Sequence, residues 1–357
     1  MKKDRMAVIT HPKSHHHVQP FPRPNLESFE APLRTQMAEH YLRETGLLNE
    51  VDQQKAPRAN IEDILKVHTP YLVESVRLMS NIGSGVIGES AHASPDLYRT
   101  AMISVGGAIL AAELVARNEV KHAFSLMRPP GHHASRSTAA GLCYFNNIAI
   151  ATMKLMDSSD IKRVTIFDFD DHFGNGTADI FYANKNVQYI SIHEYDYENF
   201  GIGHYEELGF GEAVGTNINI PLIDATSDMV YREAVKRIAI PSILKFEPDI
   251  IGLSAGFDSH YADPVGNMNI DTSTFWYIGK TINETVEKLG IRGSFSVLEG
   301  GYNPLIIGPS IHALLYGLDG REMPKLQDQI QRETVKSLDD ANLGVLDKVE
   351  EIVGRFW

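Results

Sequence analysis

Short apolar runs recur along this chain, many of them β-branched, each followed by a polar, Gly- or Pro-containing loop and then by a stretch with helical spacing. The runs are His122–Met127, Arg163–Phe169, Val187–His193, Asp249–Ser254 and Ser294–Leu298, and they predict strands. Apolar residues at helical intervals predict helices over Ala31–Thr45, Leu97–Arg117, Asn146–Met156, Met229–Phe246 and Thr272–Leu289. Strands that alternate with helices, and that are apolar along their whole length, predict an α/β fold with a mostly parallel sheet covered on both faces. No repeat, low-complexity linker or break in composition divides the sequence, so one large domain over residues 1–357 is expected. The charged tail from about Gly320 reads as a helical pair packed on the outside.

Composition narrows the function. The 357 residues are 43% hydrophobic and 22% charged, with ample length for a large core. A net charge of −13 argues against duplex nucleic acid as partner, because that binding needs basic patches. A single cysteine, Cys143, excludes an intrachain disulfide and a Cys-rich zinc site. The opening MKKDRMAVITHPKSHHHVQPF has basic residues but no apolar run behind them, so it does not read as a signal peptide. The most apolar stretch, Met102–Ala116, is interrupted by Gly106, Gly107 and Glu113 and reads as too short to span a membrane. These features together predict a cytoplasmic enzyme.

In open α/β sheets, ligands bind beyond the carboxyl ends of the strands. The unusual residues of this sequence fall there. RPPGHHA (128–134) follows the first predicted strand, DFDDHFGNGT (168–177) the second, AGFD (255–258) the fourth and EGGY (299–302) the fifth. Asp170 and His172, two residues apart in extended backbone, point to one side and make two ligands for a divalent ion. Asp258, from another strand end, supplies a third. One imidazole and two carboxylates suit Zn²⁺, with Fe²⁺ or Mn²⁺ as competitors, and leave a position open for water. His132 and His133 suit acid–base work, since imidazole titrates near neutral pH. Asp168 and Asn175 are placed to fix their tautomers. Tyr302, after Gly300 and Gly301, is a hydrogen-bond donor for an oxyanion.

Taken in order, RPPGHHA (128–134), GLCYFNN (141–147), DFDDHFGNGT (168–177), SAGFDSHYADP (254–264) and LEGGY (298–302) resemble the histone deacetylase and acetylpolyamine amidohydrolase family. FEAPLR (29–34), LKVHTPYL (65–72) and AFSLMRPPGHHA (123–134) resemble its acetylpolyamine branch. The resemblance implies an arginase-like fold with a central eight-stranded parallel sheet. It implies Zn²⁺ on Asp170, His172 and Asp258, with His133 as general base and then acid, backed by Asn175. His132 pairs with Asp168, and Tyr302 stabilises the oxyanion. A structural potassium ion takes Asp168, Ser191 and the Ile192 carbonyl, with backbone groups of Asp170 and His172; Phe181 and Val187 match a second potassium position. Gly141, Leu142, Phe200 and Gly300 belong to the substrate tunnel. The implied substrate is a small N-acylated amine or an acetylated lysine, with no nucleic acid or membrane partner, and nothing supports a particular oligomer.

The chain departs from the family pattern at several positions. Asp171 stands where an apolar residue is usual, Phe173 where a second His is frequent, and Leu142 where an aromatic residue often lines the tunnel. The segment Ser80–Pro95 is shorter than the insertion common in the polyamine branch. Glu89 lies near the acidic entrance position of that branch, and the run His15-His16-His17 reads as an exposed loop. Two other readings share parts of the pattern. A ureohydrolase of the same fold would need a second metal with additional bridging Asp and His ligands. A non-catalytic binder of acylated ligands would have lost the ligands, the histidine pair or Tyr302, and all are present.

Overall fold

The computed structural model describes residues 6–18, 28–199, 201–325 and 332–356. Its centre is an eight-stranded, all-parallel sheet built from β1 (Met6–Thr10), β2 (Asp52–Lys55), β5 (His122–Ser125), β6 (Val164–Asp168), β7 (Val187–Glu194), β8 (Asn217–Leu222), β9 (Ile250–Ala255) and β10 (Ser294–Leu298). A two-stranded hairpin, β3 (Val86–Gly88) and β4 (Ala91–His92), lies outside it. The sheet order is β2-β1-β5-β10-β9-β6-β7-β8. The chain therefore leaves a gap between β5 and β6 that its last two strands fill. The order reverses there, and loops diverge at such a point to leave a crevice.

Side chains alternate across the sheet and feed two cores. In β1, Ala7 and Ile9 join one and Met6 and Val8 the other. The first core packs α4 (Leu97–Ala116) and α5 (Asn147–Ser158) on the sheet. The second packs α1 (Leu33–Glu44), α9 (Thr272–Leu289) and α10 (Ile307–Leu318) on the opposite face. α4 is long and apolar enough to cross a membrane by length and composition. The stretch Met102–Ala116, expected to be interrupted at Gly106, Gly107 and Glu113, lies within this one continuous helix. Gly106 and Gly107 instead allow the helix to lie against Pro57 and Met127, and most of its side chains are buried in the first core.

The structure revises three other expectations. Residues 1–60 carry two strands, β1 and β2, which periodicity did not reveal: Asp52–Lys55 is wholly polar because β2 is a half-covered edge strand. β8 also escaped; it is the other edge, where Pro221 costs no ladder bond. In the tail, the described residues form one helix, α11 (Lys336–Val353), rather than a pair. It is not merely peripheral, for Leu346 and Val349 enter the second core and the buried Asn342 side chain accepts from Ile223 N and donates to Thr226 Oγ1.

Candidate metal centre and acid–base site

The four strand ends singled out in the sequence are neighbours in space: β5, β10, β9 and β6 lie side by side in that order. Asp168 at the end of β6 is in register with Ser254 of β9, and Leu298 of β10 with Ala255 of β9. The segments that follow rise together from one edge of the sheet.

Asp170, His172 and Asp258 converge. Their ligand atoms all lie within 4.8 Å of one another. His172 Nδ1 is 3.1 Å from Asp170 Oδ1 and 3.2 Å from Asp258 Oδ2. Both carboxylates are buried, and one half-exposed imidazole stands between them and the cavity. Two buried carboxylates facing the same imidazole nitrogen need a positive charge between them. Burial raises the Asp258 carboxyl, with Asp170 adding to the rise. For Asp170, the charge of His132 and bonds from His172 outweigh burial and hold the carboxyl well below its ordinary range. The His172 imidazole is pushed well up, since bonds to Asp170 and Asp258 outweigh burial. A nitrogen and two oxygens at this spacing form a donor set that fits a divalent cation of the zinc type. The backbone closes round it: Gly300 N donates to Asp170 Oδ2 at 2.7 Å and Asp171 N to Asp258 Oδ1 at 3.0 Å. A Cβ at Gly300 would lie 2.0 Å from Asp258 Oδ2, so no other residue permits this approach.

His132 and His133 sit beside this cluster with ring centroids 4.0 Å apart. His133 Nδ1 is 2.7 Å from Asn175 Oδ1. That oxygen only accepts, so Nδ1 carries the hydrogen and Nε2 keeps its lone pair. Burial, with the charges of His132 and His172, holds His133 down at about 3 and therefore neutral. Gly141, at φ 52°, backs the same ring; a Cβ there would meet His133 Cδ2 at 2.3 Å. His132 Nδ1 is 3.1 Å from Asp168 Oδ2. Burial alone would lower His132, but Asp170 and Asp168 raise it to about 10. The two imidazoles thus differ: one is cationic and locked to a carboxylate, the other neutral and able to accept a proton.

Tyr302 completes the arrangement. Arg34 donates to the Gly301 carbonyl at 2.6 Å and the Glu299 carbonyl at 2.5 Å, and its guanidinium lies 4.5 Å from the centre of the Tyr302 ring. Burial pushes the phenol well up; Arg34 opposes this, while Asp258 and Asp170 add to it, and the hydroxyl stays a donor. Glu299 Oε2 accepts from Gly131 N at 2.6 Å and His132 N at 3.1 Å, tying β10 to the histidine loop.

A cavity of about 340 Å³ opens onto these groups. His133, His172, Asn175 and Tyr302 line it, with Gly141 and Leu142 on one side and Phe173, Ile202 and Val265 on others. Leu142 is buried at φ 68°. The hairpin tip brings exposed Glu89 to the rim, where its carbonyl accepts from Gly141 N at 3.0 Å. Phe200, expected on the opposite wall, lies outside the described residues. Ser191 is in register with Asp168 across β6 and β7, and its hydroxyl is 2.8 Å from His193 Nδ1. Ile192 is buried next to it. The Phe181 carbonyl accepts from Asn184 N at 2.8 Å, ahead of Val187 at the start of β7.

The histidine run is corrected. His17 is not an exposed loop residue: its ring is buried, with Nδ1 2.7 Å from Ser94 Oγ and an edge contact to Tyr144. Sequence reasoning also missed the ion cluster beneath the site. Arg128 donates to both Glu30 carboxylate oxygens, at 2.7 and 2.5 Å, and Arg34 to Oε1 at 3.2 Å, all of it buried. Asp171 is buried as well, with Oδ2 accepting from Asn267 N at 3.0 Å, so its carboxyl braces the loop that carries Val265.

Comparison with known proteins fits this geometry. Residues 28–318 match the family model described as the histone deacetylase domain. The histone deacetylase-like amidohydrolase of Pseudomonas aeruginosa is 32% identical over 305 residues, covering 85% of this chain and 80% of that one. A probable deacetylase of Methanothermobacter thermautotrophicus is 41% identical over 266 residues, covering 74% and 78%. Among solved structures, the HDA15 HD domain superposes with a TM-score of 0.90 at 28% identity, covering 99% of this chain and 96% of that one.

Proposed function

The chain belongs to the histone deacetylase family, a hydrolase acting on amides, and on that premise we propose that it is a zinc-dependent amidohydrolase that removes the acetyl group from an N-acetylated amine. The observation that carries this reading is the convergence of Asp170, His172 and Asp258, with His172 opening onto a cavity that His133 and Tyr302 also line. Asp170, His172 and Asp258 would hold the ion. A divalent cation there supplies Lewis-acid polarisation of the amide carbonyl and acidifies water.

The side chains do the rest. His133 Nε2, freed by the Nδ1–Asn175 bond, takes a proton from the attacking water. The Tyr302 hydroxyl donates to the carbonyl oxygen as that oxygen gains charge. His133 then delivers its proton to the amine nitrogen as the C–N bond breaks, so one amide and one water give one acetate and one amine. His132, cationic against Asp168, stabilises the negative charge that builds beside it. Leu142, Phe173 and Val265 make apolar walls that suit an alkyl chain between the acetyl group and the rest of the substrate. In this reading Asp168, Ser191 and the Ile192 carbonyl would hold a second, structural ion, potassium; Asp168 and Ser191 are in register on neighbouring strands.

Acetate release by zinc-loaded protein tests it. We expect turnover on an acetyl-lysine peptide or on an acetylated diamine, and its loss in Asp258→Ala. Absence of turnover on every N-acetyl amine with zinc bound would overturn the reading.

A further inference from the structure

The loop after Asp258 and the loop carrying Tyr302 are joined through the side chain of Asp263. Its Oδ2 accepts from Tyr302 N at 2.6 Å and Asn303 N at 3.0 Å, 39 and 40 residues away. Its Oδ1 accepts from Val265 N at 3.0 Å and Gly266 N at 3.5 Å, in its own loop. Asn303 returns the contact by donating its side-chain amide to the Ala262 carbonyl at 2.7 Å. One carboxylate thus binds the backbone of a residue on the reactive side of the cavity, Tyr302, and of a residue on its wall, Val265. The turn that delivers Tyr302 depends on Gly301, at φ 105°, where a Cβ would meet Phe257 Cβ at 2.8 Å. The Tyr302 loop therefore has a tight turn on one side, Arg34 over the ring, and Asp263 on its amide.

We propose that Asp263 is the positioning residue for Tyr302: its carboxylate fixes the phenol and the Val265 wall as one unit, so that the oxyanion donor and the cavity mouth hold a set separation. The proposal rests on the reading of Tyr302 as oxyanion donor. Two peptide N–H groups on one carboxylate oxygen are charge-assisted hydrogen bonds, stronger and shorter than neutral ones. A donor that must meet a developing charge loses most of its effect when displaced by about 1 Å. An acid acting only as a loop staple would affect stability and leave the chemistry of the folded fraction unchanged.

The test is a double-mutant cycle with Asp263→Asn and Tyr302→Phe, alone and together, read as kcat and KM on zinc-loaded protein of measured metal content. Asn keeps the shape and one acceptor oxygen but turns an amide N–H₂ toward one pair of donors. We expect Tyr302→Phe to lower kcat about 100-fold and Asp263→Asn to lower it by roughly tenfold or more, with KM raised through Val265. In the Tyr302→Phe background, Asp263→Asn should lower kcat no further than about twofold, because the group it positions is gone. Multiplicative losses, or wild-type kcat in Asp263→Asn alone, would overturn the proposal. Wild-type turnover in Tyr302→Phe alone would overturn the reading of the tyrosine and the proposal with it, which separates the two failures. A second readout does not need activity: 3-fluorotyrosine at position 302 should give one narrow ¹⁹F line, broadened or doubled by Asp263→Asn. An unchanged line would also overturn the proposal.

Discussion

Glu30 offers the sharpest quantitative prediction. Its carboxylate is fully buried between Arg128, at 2.5 and 2.7 Å, and Arg34, at 3.2 Å. The other three Arg128 N–H groups donate to the carbonyls of Ser14, His17 and Glu30, and Arg34 donates to those of Gly301 and Glu299. Glu30→Gln keeps the volume and removes the one carboxylate that, among the described residues, forms ion pairs with these two cations. Burial by itself would raise the Glu30 carboxyl, but Arg128 and then Arg34 bring it down from 4.5 to about 2. A depression of that size corresponds to about 3 kcal/mol of folding stability at neutral pH. Breaking a buried ion pair by removing one partner costs about 3–5 kcal/mol, so the two routes agree. Urea unfolding at pH 7 should show a loss in that range. The pH dependence has a definite sign. A depressed carboxyl contributes stability above its unfolded value, and the contribution fades as pH falls from about 4.5 toward about 2. The gap between wild type and Glu30→Gln should therefore narrow in acid, since protonated Glu30 resembles the variant. A difference below about 1 kcal/mol at pH 7, or one that does not narrow in acid, would refute the argument. Catalysis should suffer as well, because Arg128 begins the histidine loop and Arg34 covers Tyr302.

Gly300→Ala should lower zinc affinity at least tenfold in a chelator competition, with the circular dichroism unchanged, because its Cβ would meet Asp258 Oδ2 at 2.0 Å and Asp170 Oδ2 at 2.6 Å. Wild-type affinity would mean that the two carboxylates do not define the site. Asn175→Ala should cut kcat by roughly 100-fold with little change in KM, since His133 loses the acceptor that fixes its tautomer. Equal kcat would remove His133 from the proton path. Burial keeps His17 neutral, at about 3, and His122 at about 4. A lowered imidazole contributes stability above the unfolded value of 6.5 and loses it as pH falls toward the folded value, so the Tm should drop between about pH 6.5 and 4. His122→Gln should flatten that slope, and an identical slope would count against it.

What the sequence discloses follows from its physics. A parallel strand covered on both faces must be apolar throughout, so β5, β6, β7, β9 and β10 stand out as runs. The polar edge strand β2 escapes that demand and went unseen; β1 and β8 are buried and went unseen as well, β1 being only five residues long and β8 interrupted by Asn217, Asn219 and Pro221. The candidate metal ligands and candidate acid–base groups were legible because strand ends put unusual residues in unusual places, and the structure brings them together. Charges packed against charges were not. Glu30, Arg34 and Arg128 look like surface residues, and only three-dimensional contact reveals that they neutralise one another. Asp263 has the same history: its meaning depends on an amide 39 residues away. The walls formed by Ile202 and Val265 come from loops whose approach no local pattern encodes.

The central claim is that one metal ion, held by Asp170, His172 and Asp258, supports amide hydrolysis by His133 and Tyr302. Stepwise addition of zinc to metal-stripped protein, with acetate release read at each step, tests it most directly. The account predicts no turnover without metal, a linear rise, and a plateau at about one ion per chain, as expected for a mononuclear site with three protein ligands. Turnover that persists in stripped protein, or that requires two ions per chain, would contradict it.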